Sequence, residues 1–380
     1  MKAEWKMMPL GEVSVINYGY TESATSDPIG PKFLRITDIQ DSGVNWDDVP
    51  FCQIDATGLK KFMLAHGDIV FARTGATTGK SFLVIDPPEA VFASYLIRLR
   101  LQDMSLLPEF VSLYFQSKEY WDAIRTGSSG SAQGGFNASK LAALMIPVPP
   151  LPKQQRIVAI LDEAFEAIAT ARANAEQNRQ NARALFDSYL QSVFSQRDKG
   201  WLETTIDKIS TNLDSKRIPI TKSDRKAGKY PYYGASGIVD YVADYIFDGD
   251  SLLVSEDGAN LLARSTPIAF SVSGKYWVNN HAHILKFEHM ATQRFVEFYF
   301  ASILLDEYIT GAAQPKLNQK ALNSIPIPIP VSIELQAEIV GRIESLHSET
   351  QRLESLYQRK IAALDELKQS LLQQAFSGQL

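Results

Sequence analysis

The sequence predicts an α+β protein in which two similar globular domains alternate with two long helices, and three observations predict it. First, the chain repeats itself at an offset of 182 residues. Ser188-Tyr-Leu-Gln-Ser-Val-Phe-Ser195 matches Ser370-Leu-Leu-Gln-Gln-Ala-Phe-Ser377, Gln154-Gln-Arg-Ile-Val158 matches Gln336-Ala-Glu-Ile-Val340, and Gly67-Asp68 matches Gly249-Asp250. Second, residues 153–197 and 332–380 contain no proline and only Gly341 and Gly378, and both carry a helical period. Third, the remaining segments are rich in Gly, Pro and aromatics around short β-type runs.

The elements follow in order. Residues 1–150 form a first mixed domain, with apolar runs at Asp68-Ile-Val-Phe-Ala72 and Val91-Phe-Ala-Ser-Tyr-Leu-Ile97 and a helical pattern near 108–124. Residues 151–197 form the first long helix. Residues 198–331 repeat the mixed domain, with runs at Ser251-Leu-Leu-Val254 and His283-Ile-Leu-Lys-Phe287 and a helical pattern near 292–308. Phe110-Val-Ser-Leu-Tyr-Phe115 pairs with Phe295-Val-Glu-Phe-Tyr-Phe300, Ile146-Pro-Val-Pro149 with Ile327-Pro-Ile-Pro330, and Trp5–Ser14 with Trp201–Ser210. Residues 332–380 form the second long helix.

The helical period is a heptad. Ile339, Ile343, Leu346, Thr350, Leu353, Tyr357, Lys360, Leu364, Leu367 and Leu371 advance alternately by four and three. The repeat offset lands on Ile157, Leu161, Ala164, Ile168, Ala171, Ala175, Asn178, Ala182, Leu185 and Tyr189. Two stripes in one chain predict a wound helix pair, the alternative being an amphipathic helix lying on its own domain. Alanines in the middle of one stripe and Leu346, Leu353 and Tyr357 in the middle of the other match small to large in an antiparallel pair. A helix of about 43 residues spans roughly 65 Å. Such a pair would act as a ruler between two domains related by a pseudo-two-fold.

Composition excludes several function classes. The N-terminal MKAEWKMMPLGEV has no signal-type apolar run, and no segment approaches a membrane span, so a cytoplasmic location is expected. One cysteine, Cys52, leaves no internal disulfide and reads as a small strand-associated side chain. Net charge −5 argues against a strongly basic, free-standing nucleic-acid binder. Any such role needs local charge or help from other subunits.

Arg73-Thr-Gly-Ala-Thr-Thr-Gly-Lys-Ser81 mimics a phosphate-binding loop, but only three residues separate Gly75 from Gly79-Lys80-Ser81, where the motif needs four. No nucleotide cofactor is expected. Asp86-Pro-Pro-Glu89 mimics the loop by which amino-methyltransferases hold a target amine, yet Glu89 cannot stack on a base. His281-Ala-His283, with His289 and Glu288 nearby, makes no familiar metal spacing and reads as structural.

Taken together, the motifs resemble the specificity subunit of type I restriction-modification enzymes over nearly the whole chain. The resemblance rests on Gly67-Asp-Ile-Val-Phe-Ala-Arg-Thr-Gly-Ala-Thr-Thr-Gly-Lys80, Tyr230-Pro-Tyr-Tyr-Gly-Ala-Ser-Gly-Ile238, Asp257-Gly-Ala259 and Trp277-Val-Asn-Asn-His-Ala-His283. It rests also on the helix openings Pro149-Pro-Leu-Pro-Lys-Gln-Gln-Arg-Ile-Val158 and Glu334-Leu-Gln-Ala-Glu-Ile-Val340, which look like the family's central and distal conserved regions. It implies two target-recognition domains, each reading half of a split sequence in double-stranded DNA, and helices that dock two modification (methyltransferase) subunits. Motor and nuclease subunits would join for restriction, and the chain itself would do no chemistry.

Under that resemblance the loop Arg73–Ser81 becomes a DNA-facing turn. Arg73 suits guanine, and Thr74 and Lys80 suit phosphates. Residues 214–229 hold six cations against Asp214 and Asp224, including Lys216, Arg217, Lys222 and Lys226, and lead into Tyr232 and Tyr233. Two matched loops carry Gln133 and Asn137, and Gln314, Lys316 and Asn318. Their amides suit adenine, while helix capping is the alternative. Two rivals remain: a stand-alone DNA adenine methyltransferase using Asp86-Pro-Pro-Glu89, and a coiled-coil scaffold with no nucleic-acid role.

Overall fold

The computed structural model describes residues 5–40, 43–128, 135–195, 200–311 and 314–380. The chain divides into two compact units, residues 1–175 with 359–380, and residues 176–358.

In the first unit the strands are β1 (Lys6–Pro9), β2 (Ser14–Tyr18), β3 (Lys32–Leu34), β4 (Ile69–Ala72), β5 (Ser81–Leu83), β6 (Ala90–Phe92), β7 (Leu96–Leu101) and β8 (Met145–Val148). An antiparallel sheet of order β2-β7-β4-β5 forms the centre, β1 pairs with β8, and β3 runs parallel to β6. β4 is buried on both faces because helices cover one side and the β3–β6 ribbon the other, so it reads as a continuous apolar run.

The second unit repeats this plan. Its strands are β9 (Trp201–Thr205), β10 (Ser210–Asn212), β11 (Ala227–Gly234), β12 (Gly237–Val242), β13 (Phe247–Asp248), β14 (Ser251–Ser255), β15 (Ala269–Val272), β16 (Lys275–Val278), β17 (Ala282–Phe287) and β18 (Pro326–Pro330). The order β10-β17-β14-β15 matches that of the first sheet, and β18 pairs with β9 as β8 does with β1. The parallel contact of β3 with β6 returns as that of β11 with β16. The second copy extends it with the β11–β12 hairpin. The left-handed turn glycines Gly67 and Gly249 keep their places before β4 and β14.

The helical pattern near 108–124 breaks into Pro108–Tyr114 and Lys118–Ser128. The break lets the Phe115 ring stack on Tyr120 at 4.6 Å. Its counterpart, expected to reach 308, ends at Ser302.

The long helices are Leu151–Ser195 and Ile333–Phe376. In the first unit their segments run antiparallel: Lys153 Nζ donates to the Leu380 carbonyl, Lys368 lies over the Phe165 ring at 4.8 Å, and Arg172 meets Asp365 at 3.4 Å. In the second unit Arg179 donates to Gln358 at 3.1 Å and Phe186 lies 4.8 Å from His347, again antiparallel. In the repeat Phe165 corresponds to His347 and Lys368 to Phe186, so one contact position recurs with its chemistry exchanged.

Ile157, Leu161, Ile168 and Ile343 are buried, and Ile339, Leu346, Leu353, Leu364 and Leu371 are half-buried. Leu185 is not in the packed face. It is 63% exposed and its counterpart Leu367 is 47% exposed, which corrects the expectation for this position. A strict 3.5-residue repeat drifts about 20° per heptad around a straight helix. By this point the buried positions are Leu190, with Phe186 half-buried, in one copy and Ile361, Leu372 and Ala375 in the other.

Each helix begins with a buried glutamine. Gln154 accepts the Leu107 N–H at 2.9 Å and donates to Ser105 O and Pro149 O at 2.7 and 2.8 Å. Gln336 accepts from Thr292 Oγ1 and donates to Pro330 O, both at 2.7 Å. These two residues explain why Gln opens both repeat motifs.

Truncating Ile343 to Ala should cost about 2–5 kcal/mol in urea unfolding, whereas Leu185→Ala should stay within about 0.5 kcal/mol. Equal costs would contradict the assigned face.

Candidate nucleic-acid interface

Each copy builds an equivalent tip at the ends of its central strands. β4 and β7 stop pairing at Ala72 and Leu96, and β14 and β17 stop at Ser255 and Ala282. One residue further on, Arg73 N–H donates to Tyr95 O at 3.2 Å and Glu256 N–H donates to His281 O at 2.9 Å. Phe136 N–H then donates to Arg73 O at 2.9 Å, as Leu317 N–H does to Glu256 O at 2.8 Å. The residue after each of these donors is an asparagine N-cap. Asn137 Oδ1 accepts from Lys140 N–H and Asn318 Oδ1 from Ala321 N–H, both at 2.9 Å. Both turns pass through a left-handed glycine, Gly75 at φ 77° and Gly258 at φ 105°. Neither glycine has an atom that an added Cβ would meet within 4 Å, so the requirement is backbone conformation alone.

On this shared scaffold the side chains differ. In the first copy the Arg73 guanidinium lies 5.0 Å from the Tyr18 ring and 5.9 Å from that of Tyr95, with Nε donating to Ser94 O at 3.0 Å. Tyr95 itself is 61% exposed. Beside it opens a groove of about 650 Å³ lined by Tyr20, Arg35, Thr37, Thr74, Thr77 and Tyr95 among others. Arg35 is held by Asp38 through 3.1 and 2.7 Å bonds. The groove therefore combines aromatic faces, an oriented guanidinium and threonine hydroxyls, groups suited to base edges and phosphates. Lys80 lies at the far end of the loop, half-buried.

This loop is no phosphate cradle. Gly79 N–H bonds to Ala72 O, Lys80 N–H to Thr77 O and Thr78 N–H to Gly75 O, so three of its donors turn inward. Gly79 packs against Trp121 and Ile124 of the neighbouring helix, and Tyr120 donates to its carbonyl at 2.5 Å. Burial holds the Tyr120 hydroxyl well above its ordinary pKa, which keeps it a donor.

The basic segment of the second domain divides in two. Lys216, Lys222, Lys226 and Lys229 are exposed. Arg217 is not available to a ligand: its side chain is 14% exposed and its NH1 donates to Glu256 and to Ala282 O at 2.7 and 2.8 Å. Tyr232 is likewise buried, under Arg225 at 4.4 Å, and Tyr233 is half-buried against Phe270 and Tyr276. Arg217 and Tyr232 thus hold the domain together, which corrects their assignment to the surface. Gln314 is exposed, Lys316 pairs with Glu256 at 3.3 Å, and Gln133 lies outside the described residues. Asn137 and Asn318 serve as caps.

Asp214, Glu256 and His283 bring ligand-type atoms within 4.8 Å of one another, a cluster that spacing alone did not reveal. Its surroundings do not suit a cation. His283 Nδ1 faces Asp214 at 2.5 Å and Nε2 faces Leu317 O at 2.7 Å, so both nitrogens are already engaged by oxygens of the protein. Glu256 is taken by Arg217 and Lys316. Burial by itself would raise the Asp214 carboxyl. Bonds from His283, Ile284 N–H and Asn212 outweigh it and hold the group below its ordinary range. The cluster is an ion network that ties β14, β17 and the tip together. His289 sits at the start of the helix Met290–Ser302.

Asp86-Pro-Pro-Glu89 forms an exposed turn between β5 and β6, with Asp86 at φ 41° and paired to His66 at 3.1 Å. Cys52 is buried and its thiol is pushed up to about 11 by burial and the Glu22 charge, so it stays an unreactive thiol. Among the described residues, no helix is long and apolar enough to cross a membrane.

A duplicated α+β domain with a long helix after each copy is the architecture of a two-headed recognition protein. The family model described as "Type I restriction modification DNA specificity domain" matches residues 2–177 and 198–361, and the chain belongs to that family. The chain is 32% identical over 159 residues to a putative type I restriction enzyme specificity subunit of Haemophilus influenzae, an alignment spanning 42% of this chain and 40% of that protein. It is 22% identical over 371 residues to the putative MjaX specificity subunit of Methanocaldococcus jannaschii, covering 90% and 87%. A solved structure titled for complex assembly and conformational transition of the type I R-M system superposes with TM-score 0.78 at 17% identity, covering 99% and 98%, and shows the fold to be shared.

With its folded pKa depressed, Asp214 stabilises the protein above its unfolded value near 4, and that contribution is lost as pH falls through the folded pKa. Asp214→Asn should lower stability at pH 7 and flatten the decline below about pH 4. Calorimetry across pH checks this, and an unchanged acid slope would contradict it.

Proposed function

We propose that this chain is a DNA sequence-specificity subunit of a type I restriction-modification assembly, without catalytic chemistry of its own. Each globular domain meets one half of a bipartite duplex target. The long helices set the interval between the halves and offer their outer faces to modification subunits, which motor and nuclease subunits would join for restriction. Cytoplasmic residence follows from that partnership. The observation that carries the reading is the duplicated strand-end tip: one backbone scaffold, built twice, presenting different side chains. A recognition protein for two different half-sites needs that division of constant frame from variable surface.

The lysines Lys216, Lys222, Lys226 and Lys229 support it as a local positive strip on an acidic chain. Phosphate contacts by lysine supply affinity without reading bases. Replacing Lys216, Lys222 and Lys226 by Ala in the complex reconstituted with methyltransferase subunits should weaken binding. The slope of log K against log salt should become shallower by about 0.9 for each phosphate no longer neutralised, with the preferred sequence retained. An unchanged slope would favour the scaffold reading.

The methyltransferase reading is tested by incubating the chain alone with labelled S-adenosylmethionine and DNA. No transfer is expected until modification subunits are added. Transfer by the lone chain would overturn the assignment.

A further inference from the structure

We propose that His281, oriented by Asp257, is a specificity-determining residue of the second recognition domain, and that Arg73, lying beside Tyr95, the positional equivalent of His281, plays the corresponding part at the first tip. This rests on the reading of the chain as a two-headed DNA reader. Four hydrogen bonds align the tips. Arg73 N–H to Tyr95 O corresponds to Glu256 N–H to His281 O, and Phe136 N–H to Arg73 O corresponds to Leu317 N–H to Glu256 O. His281 therefore occupies the position of Tyr95, and Asp257 that of Thr74.

The sequence groups His281 with His283 as structural, and the fold separates them. Successive residues of a strand point to opposite faces and alternate ones share a face, but His281 lies before β17, where the ladder has ended. His283 is 1% exposed with both nitrogens bonded, whereas the His281 side chain is 47% exposed. One edge of the His281 ring faces Asp257, with Nδ1 2.9 and 2.8 Å from the two carboxylate oxygens. The Asp257 side chain is only 15% exposed, so it is a fixed anchor rather than a second solvent group. Its acceptor oxygens require Nδ1 to carry the hydrogen, so in the neutral tautomer the half-exposed ring offers its other nitrogen, Nε2, as an acceptor. Such an acceptor suits an exocyclic amino group in the major groove, adenine N6 or cytosine N4. The first tip presents the opposite chemistry, a guanidinium donor suited to guanine O6 and N7. The backbone is common to both, and the hydrogen-bonding sense is reversed.

Asp257 is a positioning residue, acting through the ring it holds. A purely structural role would change stability and leave the recognised sequence alone. The two roles are separated by sequencing methylated positions in DNA from cells carrying the complex with unaltered chain, Arg73→Ala, His281→Ala or Asp257→Ala. The unaltered complex should yield a split motif. If it does not, the proposed function falls before the variants are considered.

Given a split motif, His281→Ala should broaden one position, occupied by adenine or cytosine on the strand it reads. The preference there should fall by roughly fivefold to a hundredfold. Asp257→Ala should broaden the same position. Arg73→Ala should broaden a guanine position in the other half. Methylation at the unaltered half reports in the same experiment that each variant is folded and assembled. A His281→Ala motif identical to the original, or broadened in the half that Arg73→Ala affects, would overturn the proposal while leaving the two-headed reading intact.

Discussion

The arrangement depends on two buried glutamines. Gln154 and Gln336 stand at the first turns of the long helices, where backbone N–H groups and the preceding loops would otherwise lack partners. Each amide bridges its helix to the domain before it: Gln154 to Leu107, Ser105 and Pro149, Gln336 to Thr292 and Pro330. A buried donor or acceptor left unsatisfied costs about 1–3 kcal/mol, so these positions resist any residue without both an oxygen and an NH₂. The apolar face then completes the joint. Ile157 and Leu161 enter the first domain's core, and Val340 and Ile343 the second's. Domain and helix are in this way one cooperative body within each unit.

Much of the fold was legible because the repeat converts weak local signals into strong ones. A single Gly-Asp dipeptide means little. Two of them before two apolar runs locate β4 and β14 and the turns leading into them. The long helices were legible because proline is absent and apolar residues recur over many turns. Their packed face was legible only as far as the heptad holds. Beyond Ala182 and Leu364 the true period drifts from 3.5, and Leu185 and Leu367 move to the outside. Hydrophobicity names the residues able to pack; the winding of the helix decides which of them do.

The site was less legible, for a different physical reason. Charge in a sequence is additive, whereas charge in a fold is paired. The six cations between Asp214 and Lys229 read as one patch, yet Arg217 is turned inward to Glu256 and Arg225 is tied to Asp240 at 3.2 Å. Four lysines remain outside. The same long-range pairing joins His283 to Asp214 across 69 positions, and no spacing rule reaches that far. Asn137 and Asn318 illustrate the ambiguity of short polar residues. Either could cap or contact, and the amide hydrogen bond of the following turn settles the first role for both.

The tip has a further consequence for how such a protein changes. Its frame is tied by main-chain groups, which every residue except proline possesses, and its turn asks only for glycine at one position. Side chains at 73, 74, 95, 257 and 281 can therefore be exchanged with little disturbance to the strands beneath, within the roughly 0.5 kcal/mol typical of surface substitutions. A lineage carrying this scaffold can revise one head while the other continues to work unaltered.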